Sequence, residues 1–193
     1  NTSLLWAGER PVNQLHDKVN PVPFGEYVPD RAFYELIVPE MVGMIQRDYT
    51  PGTNPPLMFI GDVAIGLAIC FDVIYDTVIW DGARGGAQLF VFQTNNADFR
   101  GTSENIQQLA FARMRAIETG RAVVNVSTVG TSQLIAPDGT TLETLNVDTP
   151  GAVVSSVPLR TGLTPASVLG PWVGQLMIVG GILGLLTIRT PRD

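Results

Sequence analysis

Apolar positions along the 193-residue chain cluster in short runs, each bounded by turn-forming residues. The densest, Val63-Ala64-Ile65-Gly66-Leu67-Ala68-Ile69, follows Gly61-Asp62 and leads into Cys70-Phe71-Asp72. A β-branched run of that length predicts a buried strand that presents Cys70 at its end. Leu57-Met58-Phe59-Ile60 just ahead predicts the other arm of a hairpin. Further strands are expected at 87–93, 122–127 and 133–136, and Pro137-Asp138-Gly139-Thr140 marks a tight turn between hairpin arms. Residues 151–157 are expected to close the sheet. Near the N-terminus the apolar run 3–7 stops at Gly8-Glu9-Arg10-Pro11, a turn signal that sends the chain back toward Lys18.

Helical spacing takes over elsewhere. Phe33, Leu36, Ile37, Met41, Met44 and Ile45 recur with that period, interrupted by Pro39, and predict a core-facing segment or an arm that meets lipid. Residues 73–83 predict a short helix leading away from Cys70, whose N-terminal amides would favour a thiolate and an oxyanion. A second helix is expected from Thr102 or Ser103 to Thr119, ended by Gly120, with Ile106, Leu109, Ala110, Met114 and Ile117 on its buried face. Arg113 and Arg115 cannot both share that face, so one is expected as an internal ion-pair partner, with Glu118 in reach, and the other at the surface. The last apolar segment, 169–188, carries no charge and has about the length of a bilayer core, which predicts a transmembrane helix. Arg189 and Arg192 follow it and place a tail, 189–193, in the cytoplasm, with the preceding domain outside.

Composition narrows the chemistry. A formal net charge of −6 argues against a phosphate-binding surface and hence against nucleic acid as a partner. A single cysteine excludes an intrachain disulfide framework. Lys18 is the only lysine, and it sits in a stiff, non-helical segment beside Pro21, Pro23 and Gly25 that can hold a charge in place. A thiol acts as a nucleophile through its thiolate, which a nearby ammonium stabilises. Glu26, just beyond Phe24-Gly25, can turn inward toward that lysine; otherwise it is a surface carboxylate. His16 has no partner carboxylate at a defined spacing and is not expected to be a base. The remaining reading of Cys70 is an inert, buried small side chain in a non-catalytic scaffold.

The segment from Lys18 to Pro29, Lys-Val-Asn-Pro-Val-Pro-Phe-Gly-Glu-Tyr-Val-Pro, together with Ala68-Ile69-Cys70-Phe71-Asp72, resembles the nitrilase superfamily, whose catalytic set is Glu-Lys-Cys. Thr94-Asn95-Asn96-Ala97, the stretch 107–118 and Gly162-Leu163-Thr164-Pro165 bring it nearest to the apolipoprotein N-acyltransferase branch. The resemblance implies an α/β fold, a nitrilase-like α-β-β-α sandwich, here incomplete, over 1–160, then a linker at 161–168 and the transmembrane helix. It further implies Cys70 as nucleophile, Lys18 on the oxyanion with the amide of Phe71, and Glu26 holding Lys18. Asp72 falls where the resemblance calls for an acidic residue, in contact with substrate or packing the turn. The implied donor is a phospholipid and the implied acceptor an apolipoprotein, on the extracytoplasmic side of a bacterial plasma membrane, with no metal or cofactor. The glutamate base of the superfamily lies upstream of the lysine motif and has no counterpart here, so the chain is expected to be a fragment that is inactive alone. The branch carries tryptophan where this chain has Asp98. A soluble amidase acting on a small amide is the alternative within the same superfamily.

Overall fold

The computed structural model describes residues 1–187. Strands β1 (Thr2–Ala7) and β2 (Arg10–Asp17) form an antiparallel hairpin around Gly8, whose φ of 62° suits a residue without a Cβ. Two short helices follow, α1 (Arg31–Ile37) and α2 (Pro39–Met44), divided where Pro39 cannot continue α1. Then come β3 (Leu57–Ile60), β4 (Val63–Ile69), a 3₁₀ turn (Cys70–Ile74), α3 (Asp76–Arg84), β5 (Leu89–Thr94), α4 (Glu104–Thr119), β6 (Val123–Ser127), β7 (Ser132–Ile135) and β8 (Thr141–Leu145). The long helix α5 (Pro165–Thr187) ends the described chain.

Strands β3 to β8 form one six-stranded sheet in chain order. Its centre, β4-β5-β6, is parallel because α3 and α4 serve as crossovers; the flanking pairs are antiparallel because short turns join them. Helices α3 and α4 cover one face through Val78, Ile79, Ala83, Leu109, Ala112 and Ala116, packed on Ala68, Phe90, Phe92, Val123 and Ile135. Gly66 lets Phe90 lie flat on β4; a Cβ there would overlap the ring. The β1–β2 hairpin meets the opposite face. Ser3 Oγ bonds Gln93 Oε1, and the Gln14 amide imitates strand pairing with Phe59, accepting from its N–H at 2.7 Å and donating to its carbonyl at 3.1 Å.

The turn expected at 137–140 is present, with Gly139 at φ 84° and the Ala136 amide donating to Thr140 O at 2.8 Å. Residues 151–157 form no strand, contrary to expectation; the sheet ends at β8, whose outer edge carries no strand among the described residues. Helix α4 presents a face rotated from the expected one. Asn105, Gln108, Leu109, Ala112, Arg115, Ala116 and Thr119 are buried, whereas Ile106, Ala110, Met114 and Ile117 are exposed. The small Ala112 and Ala116 allow close approach to the sheet, and Arg115 has polar partners inside, so helix phase follows shape and hydrogen bonding rather than side-chain hydropathy. Nor are α1 and α2 core: only Val42 is buried, while Phe33, Leu36, Ile37, Met41 and Met44 are exposed. Arg31 tethers this arm through a forked pair with Asp48 at 2.6 and 3.0 Å and a bond to Ile45 O.

Only the base of α5 is docked. Thr164 Oγ1 caps it by accepting from Ser167 N at 3.2 Å, and Arg84 donates twice to Ser167 O, at 2.7 and 3.0 Å. Gly170 lies against the indole of Trp80, where a Cβ would overlap the ring. Beyond this base, the consecutive residues Leu176, Met177, Ile178 and Val179 are all exposed, so α5 is apolar on every side. Among the described residues no helix is long and apolar enough to cross a membrane. The stretch 172–187 gives sixteen residues, against the roughly 20 a bilayer core takes, and the span expected at 169–188 runs past the last of them. The tail expected at 189–193, with Arg189 and Arg192, lies outside the described residues.

Candidate active site

The C-terminal ends of the parallel strands set where the site forms. Strand β4 delivers Cys70 into the 3₁₀ turn with φ 52°, a left-handed backbone that a residue bearing a Cβ adopts at a cost of about 1–2 kcal/mol. The short turn, rather than a long helix, follows the thiol at once: α3 starts only at Asp76, so its N-terminus stands six residues downstream instead of at Cys70 as expected. Cys70 is half-buried, as is Phe71, whose ring meets Tyr75 edge-on at 5.7 Å.

Lys18 follows directly on β2 and is 3% exposed. Its Nζ lies 2.5 Å from Glu26 Oε2, which also accepts from the Val22 amide at 2.7 Å, while Glu26 Oε1 accepts from Asn1 Nδ2 at 2.5 Å. The turn that aims Glu26 inward runs from Val22 to Tyr27, and its left-handed residue is Phe24, at φ 58°, rather than Gly25. The pair thus orients the lysine as a point donor in an otherwise dry place.

Asp72 is fully buried and joins the two halves of the site. Oδ2 accepts from the Val19 amide at 3.1 Å; Oδ1 accepts from the Asn20 amide at 2.8 Å and from Asn20 Nδ2 at 3.0 Å. One carboxylate two residues past the thiol thus seats the backbone one and two residues past the lysine. These contacts tie the thiol turn to the lysine segment.

Sequence reasoning named two further polar groups but could not assign their contacts. Asn96, beyond β5, donates to Ser127 Oγ at 3.0 Å, and Asn105 Oδ1 accepts from the Thr131 amide at 2.9 Å, forming a buried network around Gly130. Two adjacent asparagines after a buried strand are a signal only in hindsight, since such pairs usually mark exposed turns. Asp98 lies in the exposed loop after them, in a single 3₁₀ turn. The second group is Arg115. Its guanidinium donates from Nε to Val73 O at 2.8 Å, from Nη2 to Ile74 O at 2.8 Å, and from Nη1 to Asp76 Oδ1 at 2.7 Å and Glu118 Oε2 at 2.6 Å. Arg115 is thus the internal arginine of the pair, and Arg113 reaches Gln133 and Thr141 instead.

His16 is fully buried, with Nδ1 donating to Pro55 O at 3.2 Å and Nε2 without a partner among the described residues. Burial lowers its pKa below the ordinary 6.5, and this outweighs the opposing pull of the Asp72 charge. The folded state therefore favours neutral His16, and stability is complete above the unfolded pKa. As pH falls through 6.5 toward the lower folded value, the unfolded chain takes up the proton first and stability drops. Thermal unfolding followed from about pH 8 to pH 5 should show that drop in the native protein and a flatter profile in His16→Asn; equal slopes would assign the drop to other groups.

The fold and this arrangement, a cysteine at a strand end whose turn is tied through Asp72 to the segment carrying a buried lysine–glutamate pair, are those of a nitrilase-like α/β protein. The family model for carbon-nitrogen hydrolases matches residues 1–162, and the chain belongs to that family. It is 34% identical over 188 residues to the apolipoprotein N-acyltransferase of Mycolicibacterium smegmatis, covering 96% of this chain and 31% of that protein. To the apolipoprotein N-acyltransferase of Gloeobacter violaceus it is 32% identical, covering 98% of this chain and 36% of the other. The chain thus spans about a third of the length of these relatives. Among solved structures, Saccharomyces cerevisiae Nit3, of branch 10 of the nitrilase superfamily, superposes with a TM-score of 0.58 at 18% identity, over 78% of this chain and 50% of that one. An amidase of Nesterenkonia from the same superfamily gives 0.55 at 22% identity, over 92% and 60%. At those identities the likeness shows the fold, which is the nitrilase-like α/β fold.

Proposed function

We propose that this chain is the nucleophile-bearing part of a membrane-associated N-acyltransferase that moves a fatty acyl chain from a phospholipid to the N-terminal amine of a diacylglyceryl apolipoprotein. The observation that carries the reading is the joint held by Asp72, which fixes the lysine segment against the thiol turn. The relatives' names supply the acceptor class.

In this reading the Cys70 thiolate attacks the ester carbonyl of the donor. The carbonyl electrons move to oxygen, where the Lys18 ammonium and the Phe71 amide stabilise the negative charge. Collapse breaks the bond to the glycerol oxygen, which leaves as an alcohol after taking a proton, and Cys70 keeps the acyl group as a thioester. The acceptor's neutral amine then attacks the thioester carbonyl through a second oxyanion. Collapse expels the thiolate, an amide forms, and the amine's proton leaves to a base. Glu26 keeps Lys18 aimed throughout, and Asp72 holds its segment in place. The superfamily's glutamate base has no counterpart among these 193 residues, so the chain by itself is proposed not to turn over.

Two apolar surfaces suit a lipid substrate. The arm α1–α2 exposes Phe33, Leu36, Ile37 and Met41, and α5 is apolar on every side, more surface than a protein in water leaves bare. We place α5 in the bilayer, and Arg189 and Arg192, which follow it in sequence, argue by the positive-inside tendency for a cytoplasmic C-terminal side. The catalytic layer then sits on the extracytoplasmic face of a bacterial plasma membrane. The test is acyl transfer by the full-length protein in detergent, from a phospholipid with a labelled acyl chain to a synthetic diacylglyceryl-cysteinyl peptide. Label appearing as an amide on the peptide is the expected result. Release of ammonia from small amides, with no label transferred, would move the chain to the amidase reading.

A further inference from the structure

The left-handed backbone at Cys70 has to be held by something, because no local feature of a Cys-Phe-Asp sequence favours it. Asp72 grips the lysine loop from this turn, so its bonds position Lys18 as much as the thiol. The other end of the turn is fixed by Arg115, reaching in from the middle of α4. Its planar fork satisfies the carbonyls of Val73 and Ile74 together, at 2.8 Å each, three and four residues past the thiol. These are carbonyls that a short 3₁₀ turn leaves without intrahelical partners.

The arginine is itself pinned. It is 4% exposed, and Glu118, one turn along α4, accepts from it at 2.6 Å. The other oxygen of Glu118 accepts from Trp80 Nε1 at 2.8 Å, and its backbone carbonyl accepts from Thr164 Oγ1. A surface ion pair would matter little. A buried guanidinium that spends two donors on adjacent main-chain carbonyls is a geometric device, since only the fork can serve both at once.

We infer that Arg115 is a positioning residue for the nucleophile: its fork on Val73 and Ile74 sets the turn that aims Cys70, and Glu118 holds the fork in place. The inference rests on Cys70 being the nucleophile, as in the function proposed above, but not on the identity of its substrate. Lysine at this position keeps the charge and the pairing with Glu118, yet offers a single point donor in place of the fork.

The test uses the full-length protein in detergent, in native form and as Arg115→Lys, Arg115→Gln and Arg113→Gln. Two readouts are taken from each: the rate of Cys70 alkylation by iodoacetamide from about pH 6 to pH 10, and kcat and KM for acyl transfer. In folded Arg115→Lys, kcat should fall about 10- to 100-fold with KM for the phospholipid nearly unchanged, as expected for a misplaced reacting group. The alkylation rate should fall and its pH profile should shift in step, while Arg113→Gln stays like the native protein in both. If Arg115→Gln fails to fold, Arg115→Lys alone decides. An alkylation profile and kcat equal to the native values in folded Arg115→Lys would overturn the inference and leave Arg115 a stabilising residue only. If Cys70 alkylation responds to Arg115 but no acyl transfer is ever seen, the positioning role stands and the proposed substrate falls.

Discussion

Cys70→Ser in the full-length protein should abolish the acyl-enzyme. Incubated with phospholipid, the native protein is expected to gain the mass of one fatty acyl chain, and neutral hydroxylamine, which cleaves thioesters and spares oxygen esters, should remove it. The serine variant should show neither the labile adduct nor turnover, with a rate loss on the order of 10³- to 10⁶-fold, the range seen when a covalent nucleophile is removed. The replacement is nearly isosteric, and serine enters the φ 52° backbone no less easily than cysteine, so the thermal midpoint should hold within about 4 °C. That separates a chemical from a folding defect. A hydroxylamine-labile adduct persisting on the folded variant would remove Cys70 from the mechanism.

Lys18→Met is expected to damage the protein twice, and a second substitution can part the two effects. Removing the ammonium leaves the Glu26 carboxylate with the Val22 amide and Asn1 but without its cation, in a site where the carboxylate is only 18% exposed. Breaking a buried pair on one side costs about 3–5 kcal/mol, and the residual water contact of Glu26 puts the expected loss near the lower figure. Turnover should fall by about 10²- to 10³-fold or more, because in the proposed mechanism an oxyanion donor is gone. The double variant Lys18→Met/Glu26→Gln no longer buries an unpaired charge and should regain most of the stability, read as the thermal midpoint, while staying inactive. Recovery of both stability and turnover would reduce Lys18 to a structural role.

Part of this candidate site could be read from residue order because two of its pieces are each local in sequence. The run that ends in Cys70 is a strand by composition alone, and the Pro-Gly context of Lys18 gave a rigid segment with Glu26 able to fold back onto it. The same local logic located the hairpins around Gly8, Gly61 and Gly139. It failed where packing decides. The hydropathy of α4 points to Ile106, Met114 and Ile117, but the alanines fit the sheet and the large side chains face outward. Residues 151–157 are valine-rich enough to read as strand, yet they join no sheet and leave β8 as the edge. The anchoring contacts of Asp72 and Arg115 span some 40 to 50 positions, and no pattern in a single sequence records such pairings.

That separation has a kinetic meaning. Asp72 and the Val19 amide close a loop across 53 positions, and bringing such ends together costs about 3.5 kcal/mol of chain entropy beyond a fixed term. The hairpin β1–β2 can form from its own neighbours, but Lys18 has no fixed address until β4 is seated on β5 and the turn at Cys70 has closed. Assembly of the site is therefore expected among the late events of folding. In native-state hydrogen exchange, the amides of Val19 and Asn20 should then open with the central sheet as one cooperative unit rather than with the loop that carries them.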